Sequence, residues 1–260
     1  MHRLPKVAAG VSMLAALAMG LILGLTPAGA GARELLVVGA HFERVFERRA
    51  DGEFIGMGPD IVRMVARRNR DTVRFEIYPW ARAQAMVAQG TADILVGPYK
   101  SAERLERMAF SRSAFYRDEM VFYAMAGAGH GWQGDYAALE GKSIVVMNGW
   151  AYGAGFDAAR PRLRISVANN VENGLLMLTH KHVALFASNR RNTEPVLAAL
   201  KLNGLVLALP QVIQVQDGYF AFPKRASHDP IRAGFDAAFD AMIESGELKR
   251  LGMRYDVDIP

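Results

Sequence analysis

From residue 34 onward, continuous apolar runs alternate with segments of helical period. ELLVVGA (Glu34–Ala40) is apolar almost throughout, as a strand covered on both faces would be. PDIVRMVARRNR places Ile61, Met64 and Val65 at helical spacing, VRFEIYP returns as a strand, and ARAQAMVAQG is a helix closed by Gly90. DILVG is the next strand, and EMVFYAM precedes AGAGHGWQGD, a Gly-rich break suited to a linker. The pattern then restarts. KSIVVMNG is a buried strand, WAYGAGFDAAR a helix, LRISVA a strand, VENGLLMLTHK a helix and VALFAS a strand. Asp229-Pro230 opens a helix with Ile231, Phe235, Phe239, Met242 and Ile243 on one stripe, and Gly246 separates it from a last short helix, ELKRLGMRY. Strand–helix alternation of this kind predicts an α/β fold, and the halves share no sequence repeat.

Within this pattern TADILVGPYKSAERLERMAFS, Thr91 to Ser111, reads as a buried strand, a Gly-Pro-Tyr-Lys loop and a short helix capped by Ser101. It sets Arg104 just past the carboxyl end of a strand, where open α/β sheets bind ligands, and a guanidinium suits a planar carboxylate or phosphate. On this stretch alone, a surface arginine on a charged helix is the simpler reading.

The first residues carry Arg3 and Lys6, an apolar run from Val7 to Leu25, Pro27 and small residues. This is the layout of a signal peptide, residues 1–30, with cleavage after Ala30 or Ala32, and it predicts export to the periplasm. Its removal takes two basic groups and no acidic one, so the formal charge falls from +5 to +3. The remaining charges are mixed in sign, as in RRADGE and RDEM, which gives no nucleic-acid footprint. The absence of cysteine excludes both disulfides and a lipid-anchored mature N-terminus.

Signatures of enzymes are poor: the chain has no G-x-S-x-G elbow, H-E-x-x-H pair or phosphate loop. His180 and His182 in THKH would make a metal pair if they shared a strand face, but no third ligand accompanies them, and an exposed loop before the next strand is the preferred reading. No metal or cofactor is implied.

DGEFIGMGPDIVRMVA, PWARAQAMVAQGTADILVG, SAERLERMAFS and DPIRAGFDAAFDAMIESGELKRLGMRYDV together resemble the family 3 bacterial extracellular solute-binding proteins, periplasmic receptors of polar amino-acid ABC transporters. The resemblance spans essentially all the mature chain. It implies a two-lobed periplasmic-binding-protein fold with two crossover strands, near EMVFYAM and DGYFAFP, and a ligand cleft between lobes. Lobe 1 would comprise 33–124 and 218–260, and lobe 2 127–212. It further implies that Arg104 holds a ligand carboxylate, assisted by backbone groups of Gly97 and Tyr99, that Trp80 lies against the ligand, and that Phe42 or Phe46 supplies a second aromatic wall.

In the second lobe the chain departs from the family pattern. Asn148-Gly149-Trp150-Ala151 stands where a glycine is followed by hydroxyl residues at a helix N-terminus. Asn189 stands where an acid pairs with the ligand's ammonium. Arg190 and Arg191 follow it and disfavour a bound cation if they face the cleft. The resulting expectation is a small carboxylate-bearing metabolite, an amino acid or a related organic acid, with preference for one that needs no ammonium. A membrane transporter permease as partner and a monomeric state are further expectations. The alternatives are a dehydratase-type enzyme on the same fold and a non-transport sensor or accessory protein.

Overall fold

The computed structural model describes residues 33–260; the expected signal peptide with its cleavage sites lies outside the described residues. Among the described residues no helix is long and apolar enough to cross a membrane.

In chain order the elements are β1 (Glu34–Gly39), β2 (Glu47–Arg48), β3 (Phe54–Ile55), α1 (Met57–Asn69), β4 (Thr72–Ile77), α2 (Trp80–Gln89), β5 (Ile94–Tyr99), α3 (Ala102–Arg107), β6 (Met108–Phe110) and β7 (Tyr116–Met125). After a loop come β8 (Ser143–Met147), α4 (Ala154–Ala159), β9 (Arg164–Ala168), α5 (Val171–Thr179), β10 (Leu185–Asn189), α6 (Arg190–Ala199), β11 (Val206–Pro223), α7 (Asp229–Glu244) and α8 (Glu247–Tyr255). The main sheet runs β4-β1-β5-β11-β7-β10-β8-β9, with β6 also on β11. β1 is parallel to β4 and β5, and β8 is parallel to β9 and β10. Between these two parallel sets lie β7 and β11, antiparallel to each other from Tyr116–Gly218 to Met125–Val206. The two long strands are therefore the crossovers: β11 pairs β5 and β6 of the first half, β7 pairs β10 of the second, and their mutual pairing joins the halves.

Strand positions follow burial. β5, apolar throughout, is buried at every residue because β1 and β11 flank it. In β7, Tyr116, Asp118 and Met120 point inward while Arg117 and Glu119 point out. Gly218 on β11 packs directly under Tyr116: a Cβ there would lie 1.9 Å from the ring. Above it Phe115 stacks on Phe220 at 4.2 Å, and Phe220 meets Phe235 of α7 at 4.8 Å.

The C-terminal helices return to the first half. Arg68 of α1 donates to the Ala238 carbonyl at 2.9 Å, and Tyr255 donates to Asp60 at 2.7 Å. The α7 stripe buries Ile231, Phe235, Phe239 and Met242; Ile243 is a correction, 38% exposed because it falls one residue past the stripe's edge. A second correction concerns WAYGAGFDAAR. Its helix starts only at Ala154, since Tyr152 turns inward to bond Met147 N (2.7 Å) and the Ala187 carbonyl (3.0 Å), and Gly153 takes φ 95°. His180 and His182 lie in the exposed segment before β10, as expected: they close α5 and the turn after it, with stacked rings.

Candidate functional site

The site begins with a defect in β5. Pro98 has no N–H to give the sheet, and the pairing with β11 shifts register between Gly218 and Phe220, so the strand bulges at Gly97-Pro98. Gly97, at φ 89°, turns its carbonyl to the Tyr116 hydroxyl (2.6 Å). Ser101 caps α3 by accepting from Arg104 N at 3.3 Å, which fixes the arginine one turn in. Arg104 is 7% exposed, and burial lowers its guanidinium from the ordinary value. It remains charged. It donates to the Tyr99 carbonyl at 2.8 Å and to the Gly149 carbonyl, on the other lobe, at 2.7 Å. Among the described residues no carboxylate pairs with it.

The facing wall is the β8–α4 loop. Gly149, at φ 70°, presents its carbonyl to the first lobe, where Trp80 Nε1 donates at 3.0 Å and Gln84 Nε2 at 3.4 Å beside Arg104. Phe42 lies edge-on to Trp80 at 5.0 Å and to Trp150 at 6.2 Å, and the Arg104 guanidinium sits 5.7 Å from the Trp80 ring centre. These groups plug the middle of the cleft. Between Phe42, Trp80, Gly97, Tyr99, Arg104 and Trp150 only about 10 Å³ is left, room for one water at most. Next to Arg104 and Gly149 a cavity of about 500 Å³ is lined by these two and by Gln84, Arg107, Asp157 and Arg160 among others. A second cavity, of about 880 Å³, is lined by His41, Phe42, Tyr78, Trp80, Trp150 and Asn192 among others.

Behind Tyr99 lies a buried charge network. Asp118 accepts from Arg191 Nε (3.0 Å) and Nη2 (2.7 Å), from the Tyr99 hydroxyl (2.7 Å) and from Asn189 Nδ2 (3.0 Å). The Asp118 and Arg191 side chains are 3% and 7% exposed. Burial is the largest influence on Arg191 and acts downward, but Asp118 and the tyrosines beside it outweigh it, so the guanidinium is held well above its ordinary value. Tyr99 is pushed up, first by burial and then by Asp118, and serves as a neutral donor. Arg191 also donates to the Glu43 carbonyl, and Glu43 N donates to Asn192 Oδ1 at 3.0 Å, tying the β1–α1 segment to α6.

The structure gathers Arg104, Trp80, Gly97, Tyr99, Phe42 and Trp150 around the small central cavity, with Gly149 on the rim of the 500 Å³ one. Two expected residues are not brought there. Phe46 is a correction: it is fully buried, its ring packed with Phe54 and Phe75 and seated over Gly39, where the missing side chain leaves it room, and it lines none of these cavities. Asn189 is the other. Its Oδ1 caps α6 by accepting from Asn192 N (3.0 Å), its Nδ2 donates to Tyr99 and Asp118, and it lines none of these cavities. Asp118 and Gln84 were missed. The strict alternation of YRDEM carried the signal for Asp118, whereas Gln84 looks like any polar helix residue. Arg191 is turned inward and neutralised by Asp118, while Arg190 pairs with Glu119 outside. Arg82 lies exposed over Tyr78.

No curated protein sequence matches the chain. Among solved structures it is similar to a histidine kinase sensor domain with similarity to periplasmic binding proteins, at 14% identity, covering 88% of this chain and 99% of that one with a TM-score of 0.78. It is similar to a Streptococcus pneumoniae ABC uptake transporter substrate-binding protein with bound histidine, at 17% identity over 85% of this chain and 92% of that one, TM-score 0.71. A third is the arginine-bound form of truncated ArgBP from T. maritima, at 15% identity over 80% and 96%, TM-score 0.67. At such identities these likenesses establish the fold, the two-lobed periplasmic-binding-protein fold. The family model of bacterial extracellular solute-binding proteins, family 3, matches residues 36–257, and the chain belongs to that family.

Proposed function

We propose that this protein is a periplasmic receptor that captures a small carboxylate-bearing metabolite by hinge closure and delivers it to an ABC transporter. Lobe 1 is assigned to residues 33–124 with 218–260, lobe 2 to 127–212, and the export signal to residues 1–30. The observation that carries the reading is Arg104, a guanidinium 7% exposed that is met only by backbone carbonyls. A buried charge without a counter-charge is costly, and a ligand carboxylate supplies the missing partner in bidentate form. The adjoining cavity of about 500 Å³ is of the size that small-molecule sites have.

The same network argues for a ligand with no required α-ammonium. Asp118 is already engaged by Arg191, Tyr99 and Asn189, so it offers no free oxygen to a bound cation. An acid so fully bonded is also a poor general base, which favours binding over catalysis. The test is calorimetric titration after a thermal-shift screen of amino acids, dicarboxylates and keto acids. Arg104→Ala is expected to weaken the best ligand about 10- to 100-fold, with Arg104→Lys recovering only part. Equal affinity in all three proteins refutes the assignment.

A further inference from the structure

Three donors of the first lobe converge on one oxygen of the second: Arg104 Nη2 at 2.7 Å, Trp80 Nε1 at 3.0 Å and Gln84 Nε2 at 3.4 Å from the Gly149 carbonyl. We propose that these donors form a cradle for one oxygen of the ligand carboxylate, and that the empty protein latches its lobes shut by filling the cradle with its own Gly149 carbonyl. The ligand half rests on the function proposed above; the latch half does not.

The Gly149 carbonyl fits the role of an exchangeable occupant. It lies in an exposed loop outside any helix or strand, at a positive φ, and its hydrogen bonds all go to the opposite lobe. A side chain at this position would lie 3.2 Å from Gln84 Nε2 and 3.4 Å from the Trp80 ring, so glycine lets the backbone come this close. A neutral carbonyl also satisfies a buried guanidinium less well than an anion does. The three N–H groups are already spent on the Gly149 carbonyl, so a carboxylate oxygen takes the cradle only by displacing it. Latch and ligand are therefore mutually exclusive, and closure of the empty protein lowers apparent affinity by the latched fraction. Trp80 takes part through its indole N–H, and Gln84 becomes a ligand-positioning residue.

The chain has no cysteine, so a nitroxide pair at Arg82→Cys and Asn173→Cys, both exposed and one on each lobe, reports lobe separation without background. Pulsed dipolar spectroscopy on the ligand-free protein is expected to give one short distance. Trp80→Phe, which keeps the ring, and Gln84→Leu are expected to bring in a longer one, the open-to-closed ratio rising about three- to tenfold per donor removed. Adding Arg104→Leu opens the cleft further. The latch is refuted if the ligand-free parent already shows the long distance, or if the triple variant, folded by circular dichroism, keeps the short one. In parallel, binding of succinate, 2-oxoglutarate and L-glutamate is titrated. Because Gln84→Leu also loosens the latch, each affinity is corrected by the open fraction read from the distances. The corrected affinity for the best of them is expected to fall about three- to tenfold with Arg104 intact, and an unchanged corrected affinity refutes the cradle as a ligand site. If the parent binds none of the three, the carboxylate reading and the ligand half fall together, while the distances still decide the latch.

Discussion

Arg191→Leu puts a physical price on the network behind Tyr99. The substitution leaves the Asp118 carboxylate, 3% exposed, with only Tyr99 and Asn189 as donors and no counter-charge. Removing one partner of a buried pair typically costs about 3–5 kcal/mol, because the survivor has been desolvated without compensation. In a domain of this size each kcal/mol lowers the melting temperature by about 2–4 °C, so a fall of about 6–20 °C is expected. Asp118→Leu should cost as much for the mirrored reason, stranding Arg191 against Tyr116, whose ring centre is 4.9 Å away. The double variant Asp118→Leu/Arg191→Leu removes both charges and leaves the Tyr99–Asn189 bond of 2.9 Å in place. It is expected to be more stable than either single variant by about 2 kcal/mol. Urea unfolding of the four proteins measures the cycle. Losses that simply add, or single losses below about 1 kcal/mol, would refute a desolvated, coupled pair.

Two further outcomes follow from the first lobe. Burial raises the Asp236 carboxyl above its ordinary 3.8, so the folded protein holds that proton more tightly than the unfolded chain. The resulting stabilisation is complete below 3.8 and is lost as pH rises through the raised folded value. Asp236→Asn keeps an oxygen for Arg112 N (2.9 Å) and should flatten the fall in urea midpoint from about pH 4 toward neutrality; an unchanged slope refutes this. Gly218→Ala drives a methyl to within 1.9 Å of the Tyr116 ring and should cost about 1–3 kcal/mol in thermal unfolding, with no loss if the crossover yields freely.

The sequence by itself determined most of the elements and those of their ends that carry a cap or a breaker. Continuous apolar runs gave β1, β5 and β8; Gly90 closes α2 at φ 73°, and Ser101 caps α3, so the position of Arg104 at a strand's end was legible from neighbours within one turn. Asp118 was legible too, through the alternation that puts it on the inner face of β7, but a carboxylate flanked by charges reads as surface unless its buried partner is known. Local signals of this kind are set by residues a few positions apart and leave a period in the chain. The rest had no such trace. Whether Phe42 or Phe46 faces the cleft depended on one turn; which of Arg190 and Arg191 points inward depended on Asp118, more than seventy positions away. The Gly149 carbonyl meets Trp80, Gln84 and Arg104 only because the crossovers bring the lobes together, and a backbone oxygen carries no sequence signature. Tertiary structure decided those contacts because they join distant residues through geometry rather than periodicity.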